Sequence, residues 1–360
     1  MKDLLLITPP FTQLNTPYPA TAYLKGFLNT KNISSYQIDL GIEVILEIFS
    51  KKGVTEIFNV KPENLSENAQ RIFALKEQYI KTIDEVIAFL QNKKPTLARQ
   101  ICSMNFLPEA SRFNQLDDME YAFGNMGLQD KAKHLATLYL EDLSDYIIEN
   151  IDENFGFSRY AERLGRSANS FDELYEKLQS EKTFVDNFTV EILDKKLLET
   201  KPKLVCFSVP FPGNLYSAFR CAQYIKNHYP KIKTAFGGGF ANTELRDLKD
   251  KRVFEFFDFI TLDDGELPIE LLFENICHFE QSEESLFKRT FLLENGEVVY
   301  KNNSERHDYK QAEIGTPDYT DLPLDQYISV IEIANPMHSL WSDGRWNKLT
   351  MAHGCYWGKC

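Results

Sequence analysis

Short runs of consecutive apolar residues alternate with helical periodicity in two separated parts of the chain. A long stretch between them carries helical periodicity alone. Leu4 to Thr8 reads as a buried strand, Thr21 to Leu28 as an amphipathic helix, and Ser35 to Asp39 as a second strand. The same rhythm returns at Lys203 and runs to about Phe279. Leu204 to Val209 is a continuous buried-strand run, and Asn214 to Tyr229 sets Leu215, Ala218, Ala222 and Ile225 on one helical face. Lys233 to Phe236 is a strand ending in Gly237-Gly238-Gly239. Phe257 to Leu262 is another, followed by a helix through Leu271, Leu272 and Ile276. Strands that alternate with helices call for a mostly parallel sheet covered on both faces. The fold class expected is α/β.

Between these parts, residues 44–202 are helical in pattern. Ile72, Leu75, Tyr79, Ile83, Val86 and Leu90 repeat at three and four, as do Leu135, Tyr139, Leu143, Tyr146 and Ile147. Ser170-Phe171-Asp172-Glu173 offers a helix start, with a hydroxyl to cap and carboxylates in the first turn. This is a large all-helical insertion within one α/β domain made of residues 1–43 and 203–285. It lies either over the carboxyl edge of the sheet as a cap or beside the sheet as a separate bundle. Residues 286–347 read as a hairpin turned at Asn295-Gly296, then a polar linker or wrapping segment broken by Pro317, Pro323 and Pro336. Lys348 to His353 opens a further strand.

Composition narrows the function classes. The chain has 360 residues, 43% of them apolar, and a formal net charge of −13. That charge argues against general affinity for nucleic acid or anionic membrane. No apolar run approaches the length of a spanning helix. Prolines at 9 and 10 interrupt the only apolar start, so no signal peptide is expected. The six cysteines are scattered and do not form a secreted disulfide framework, which points to a reducing, cytoplasmic compartment.

Candidate chemistry gathers in two places. In an open parallel sheet, ligands bind outside the carboxyl ends of the strands. Four loops sit there: Thr8-Pro9-Pro10-Phe11, Ser208-Val209-Pro210 running on to Asn214, Gly237-Gly238-Gly239, and Asp263-Asp264-Gly265-Glu266. Each alone could be a tight turn; together they frame a crevice. The second place is the end of the sequence, where Cys355 and Cys360 bracket Tyr356-Trp357-Gly358-Lys359. Thiolates on such a loop suit a soft metal or an iron–sulfur cluster. The chain stops before a third ligand, so it reads as the front part of a longer metalloenzyme.

These elements resemble the cobalamin-binding radical S-adenosylmethionine enzymes. Thr8-Pro9-Pro10 and Tyr18 to Leu24 resemble the N-terminal signature of that family. Phe207-Ser208, Phe236 to Gly239, Asp264-Gly265-Glu266 and Pro317-Asp318-Tyr319 continue the likeness. His353 to Cys360 is similar to the beginning of the cluster loop, with four residues between the cysteines where the family usually has three. The likeness spans residues 1–43 and 203–360 and leaves the helical insertion unexplained.

The resemblance implies a Rossmann-like (flavodoxin-like) cobalamin module, followed by the start of a partial (β/α) barrel at residues 348–360. It implies Cys355 and Cys360 as ligands of a 4Fe–4S cluster and S-adenosylmethionine on the fourth iron of the intact protein. A 5′-deoxyadenosyl radical, and in some members methyl transfer from cobalamin, would then be the chemistry. The cofactor-binding residues implied are Thr8, Pro9, Pro10, Phe11, Ser208, Val209, Pro210, Gly237, Gly238, Gly239, Asp264, Gly265 and Glu266. No histidine follows the first strand, so cobalamin, if held, takes no histidine from the usual motif there. The truncated chain is expected to hold cofactor at most and to catalyse nothing, and its substrate and oligomeric state stay open.

Two other readings stand beside this one: a non-catalytic small-molecule or nucleotide-binding module with a helical cap, and a zinc or redox cysteine pair. Cys206, Cys221, Cys102 and Cys277 fall on apolar faces and are expected in the core. His353 and the tryptophans at 341, 346 and 357 read as cofactor contacts or as plain packing. Asp117-Asp118 reads as a solvated helix start.

Overall fold

A computed structural model describes residues 2–60, 64–103, 105–115, 127–157, 160–166, 171–277 and 285–331. The strands are β1 (Leu4–Thr8), β2 (Ser35–Asp39), β3 (Leu204–Ser208), β4 (Lys233–Gly237), β5 (Phe259–Thr261), β6 (Thr290–Glu294) and β7 (Glu297–Lys301). They form one sheet in the order β2-β1-β3-β4-β5-β6-β7. The first five are parallel, and β6 and β7 are antiparallel. The hairpin read at Asn295-Gly296 is present: both residues take positive φ (52° and 82°), as a two-residue turn of the primed type requires. It also joins the main sheet beside β5, a pairing that its local pattern does not encode.

The unbroken apolar runs of β1 and β3 follow from burial on both faces. Leu5, Ile7, Val205 and Phe207 enter one core, while Leu4, Leu6, Leu204 and Cys206 enter the other. The second core is closed by α1 (Ala20–Thr30), the helix Glu266–Cys277 and part of the hairpin. On the first face lie α2 (Leu40–Ile48), α3 (Lys51–Asn59), α4 (Glu67–Ala74), α5 (Lys76–Leu90), α6 (Ala98–Cys102), α7 (Gly127–Asn150), α8 (Glu162–Arg166), α9 (Asp172–Gln179) and α10 (Phe184–Thr200). They are joined there by α11 (Leu215–His228) and α12 (Gly239–Glu244); α13 is Glu266–Cys277.

The helical insertion is not a separate bundle. Its apolar residues belong to the same core as one sheet face, and the boundary expected at residue 43 falls inside α2. It reaches the carboxyl edge at two loops. Phe11 meets Phe155 and Tyr160 edge-on at 6.0 and 5.7 Å. A Cβ on Gly165 of α8 would stand 2.6 Å from the Pro212 carbonyl oxygen.

Local capping explains several of the helix starts. Asp39 accepts from the Gly41 and Ile42 amides, Ser50 from Gly53, and Ser66 from Ala69. Thr183 and Asp186 form a reciprocal capping box on α10. The helix start expected at Ser170 to Glu173 is present, with Asp172 and Glu173 in the first turn of α9; its N-cap is Phe171, with no side-chain bond, and Ser170 lies outside the described residues. The repeat from Ile72 to Leu90 is two helices, because Leu75 leaves helical geometry at φ −93°, ψ 6°.

One buried ion pair fastens the insertion to the sheet layer. Asp186 forms an ion pair with Arg220, 3.0 Å from its Nε, and accepts a hydrogen bond from the Tyr216 hydroxyl at 2.7 Å. Arg220 also donates to the Leu178 and Lys177 carbonyls. Burial holds the Asp186 carboxyl above its usual range, against the pull of Arg220.

Residues 302–331, expected as a linker or wrapping segment, wrap the fold as a strap. Lys25 bonds Asp321 and Thr320, and Gln37 on the outer edge of β2 bonds Asp321 and the Asp318 carbonyl. Tyr327 donates to Asp39 at 2.8 Å, and the Ile328, Ser329 and Ile331 amides reach Leu14, Leu90 and Thr137. The strand and barrel start expected from Lys348 lie outside the described residues.

Removing one member of a buried pair strands the other charge. Arg220→Met is therefore expected to cost about 3–5 kcal/mol in urea unfolding, far more than an exposed arginine change. Asp39 supplies a pH test. Burial pushes its carboxyl up to about 6, above its unfolded value, despite the bonds from Tyr327, Gly41 and Ile42. Its favourable contribution is then present at low pH and lost as pH rises through about 6. Between pH 5 and 7.5, wild type should lose about 1 kcal/mol relative to Asp39→Asn, read by parallel denaturation curves.

Candidate functional site

The helices α1 and α13 cover one face of the sheet and are tied to each other by the Lys31–Glu270 ion pair at 3.3 Å. Between them lies a crevice of about 370 Å³ at the carboxyl ends of β3, β4 and β5. Its floor is Leu6, Cys206 and Ala235, and Leu24 and Ile269 form apolar walls. Ser208, Thr261, Asp263, Asp264 and Glu266 supply polar groups, and Tyr18 and Tyr23 stand on the α1 side. Parallel strands send their carboxyl ends to the same edge, so loops far apart in sequence arrive together.

Six of the residues expected from the sequence line this crevice: Ser208, Gly237, Gly238, Asp264, Gly265 and Glu266. The other seven do not. Thr8, Pro9, Pro10 and Phe11 are buried, with Phe11 packed against Phe155 and Tyr160 of the helical insertion. Asn214 holds that loop from below, donating to the Pro9 and Phe11 carbonyls at 2.8 and 2.9 Å. Val209, Pro210 and Gly239 turn to the opposite side: the Phe240 amide bonds the Val209 carbonyl, and a Cβ on Gly239 would stand 2.7 Å from the Pro210 carbonyl oxygen. Cys355, Cys360, His353, Asp117, Asp118 and the three tryptophans lie outside the described residues.

The glycine run answers first to the protein itself. Gly238 has φ +104°, and a Cβ there would come within 3 Å of the Val209 backbone. A Cβ on Gly237 would meet the Thr261 hydroxyl at 2.8 Å. The loops after β3 and β4 thus lie directly against each other, and the Val209 amide donates to the Gly237 carbonyl at 2.8 Å.

Two arginines fix the acidic rim, and neither stood out in the sequence. Arg246 pairs with Asp263, whose φ of +61° is held by a 2.6 Å bond from its amide to Asn242 Oδ1. Arg289, just before β6, lies 3.6 Å from Asp263 and donates to the Leu262 and Asp264 carbonyls. It is itself gripped by both oxygens of Asp308 at 2.7 Å, which lowers the Asp308 carboxyl below its usual range. The hairpin and the strap therefore set the position of the loop leading into α13.

At the mouth, Tyr18 and Phe211 meet edge-on at 5.8 Å, and Phe211 is 53% exposed. The stretch Tyr18 to Leu24, which the sequence offered only as a signature, lines the crevice from the start of α1 and the residues just before it. Cys206 is buried, as expected, and burial pushes its thiol up to about 12.

Comparison with known proteins adds nothing to this geometry. No known protein family, curated protein or solved structure matches this chain. Among the described residues, no cluster of three or more His, Cys, Asp or Glu side chains could hold a metal ion. No described helix is long and apolar enough to cross a membrane. The crevice offers apolar walls and, at its rim, hydroxyls and carboxylates, of which Asp263 is paired with Arg246 and lies beside Arg289.

Gly238→Ala should cost about 1–3 kcal/mol through its φ alone and widen the β3–β4 loop contact, read as a lower Tm. Native Cys206 should resist iodoacetamide at pH 8, because the reactive thiolate is suppressed there, and should label fully in denaturant.

Proposed function

We propose that this chain is the cofactor-holding α/β part of a radical S-adenosylmethionine, 4Fe–4S enzyme, with a crevice that takes the nucleotide portion of cobalamin. The observation that carries the reading is the crevice between α1 and α13, at the carboxyl ends of β3 to β5. The order β2-β1-β3-β4-β5 with all five strands parallel supports a Rossmann-like (flavodoxin-like) module, and such sheets bind nucleotides at that edge.

A space of about 370 Å³ fits a base and a ribose; a corrin ring would have to lie outside it. Leu24, Ile269 and Ala235 would enclose the base, and Ser208, Thr261 and Glu266 would meet ribose hydroxyls. Asp263 is charge-paired with Arg246 and Arg289, so the rim would favour neutral or donor-bearing groups at Asp264 and Glu266. Cobalamin would supply a transferable methyl group, and the cluster with S-adenosylmethionine would supply radical chemistry. Cys355 and Cys360 are the residues proposed to hold that cluster. This chain's own part is to bind, orient and exclude water.

Anaerobic titration with hydroxocobalamin and methylcobalamin, followed by gel filtration, tests the proposal. Near-stoichiometric retention is expected, with spectra lacking histidine on cobalt. Leu24→Trp should abolish it while leaving the far-UV circular dichroism unchanged. Absence of retention by folded wild type would sink it. The size of the crevice favours one second reading, a nucleotide-binding module without cobalamin. That reading predicts uptake of simple nucleosides, blocked by the same variant, with no retention of cobalamin.

A further inference from the structure

The two edges of the sheet are treated differently. At β2 the strap closes the edge: Asp321 accepts from the Gln37 amide, and the Gln37 side chain bonds the Asp318 carbonyl. At β7 no strand lies outside Glu297–Lys301 among the described residues. We infer that β7 pairs antiparallel with β7 of a second copy of this chain, about a twofold axis at Val299, so that the two sheets become continuous.

Backbone register makes this pairing available. In a two-residue hairpin the residues flanking the turn, here Glu294 and Glu297, exchange both backbone bonds. Val299 opposite Leu292 and Lys301 opposite Thr290 keep the same phase, so residues 297, 299 and 301 turn their amides and carbonyls toward β6. Those of Val298 and Tyr300 point outward. A twofold at Val299 sets Val298 of each copy against Tyr300 of the other, which matches outward donors to outward acceptors.

Side chains then complement each other. The same axis puts Glu297 opposite Lys301 of the second copy, twice, at the closely spaced positions where side chains interact most. Glu297 is exposed, has no ion pair among the described residues and stands directly across the hairpin from Glu294, which pairs with Lys301; in the dimer Lys301 would lie between Glu294 of its own hairpin and Glu297 of the second copy. On the other face, Leu293 and Tyr300 are 42% and 48% exposed beside Val298 and Phe291. Pairing carries this row across the axis, from Leu293 through Val298 to Tyr300 and Phe291 of the second copy. Charged residues also serve simply to keep edge strands apart. Protection needs charge of any sign, whereas pairing needs Glu297 and Lys301 to be of opposite sign.

Five-residue edges bury less than a standard interface, so the dimer should be concentration-dependent. Sedimentation velocity of the full chain over a hundredfold concentration range tests it, with Glu297→Lys and Lys301→Glu prepared separately. Wild type should shift from monomer to dimer. Each variant alone places like charges opposite one another, and its dissociation constant should rise by about tenfold or more. An equimolar mixture of the two variants restores opposite signs at both positions and should recover the dimer as a heterodimer. Circular dichroism of each variant should match wild type, because both side chains lie on the outermost strand. A wild type that stays monomeric, a dimer indifferent to both substitutions, or a mixture that fails to recombine would each overturn the inference.

Discussion

Parallel strands must be covered on both faces, and nearly everything in this fold follows from how that demand is met. The backbone hydrogen bonds of β1 and β3 to β5 hold a sheet whose residues are apolar in succession, so neither face can be left to water. One face is roofed by α1, α13 and the hairpin; the other is roofed by the insertion with α11 and α12. The two roofs are unequal. Over β3 and β4 the lighter one leaves a gap, and that gap is the crevice.

The strands were legible because each is a short apolar run bounded by Gly, Pro or Asp, a signal that burial on both faces makes strong. Their joint edge was legible too, since parallel topology gathers carboxyl ends. What the sequence could not convey was which side of that edge stays open. Thr8 to Phe11 has the same small, turn-forming character as the glycine loop, yet Phe11 fits against Phe155 and Tyr160, contacts about 145 residues away. Arg246 and Arg289 were equally hidden. Each is an ordinary surface arginine in sequence, and only the fold brings it to the loop before α13.

The glycines carry a related lesson. A run of three at a strand end suggests a cradle for a ligand, but here each added Cβ would strike protein within 3 Å. Their absence of side chains lets the loops after β3 and β4 touch. That contact narrows the crevice and gives it a rigid lip, so the glycines shape the site without being required to face whatever fills it.

The strap has a consequence for how the chain reaches this state. Lys25 meets Asp321 across 296 positions, Asp39 meets Tyr327 across 288, and His134 meets Ile331 across 197. Contacts at such separation gain nothing until the intervening chain is ordered. The strap therefore ties both ends of the described chain together. Without it the edge of β2 is bare and the Asp39 carboxyl lacks its Tyr327 donor, so one segment both holds the distant ends and removes the sheet's first open edge.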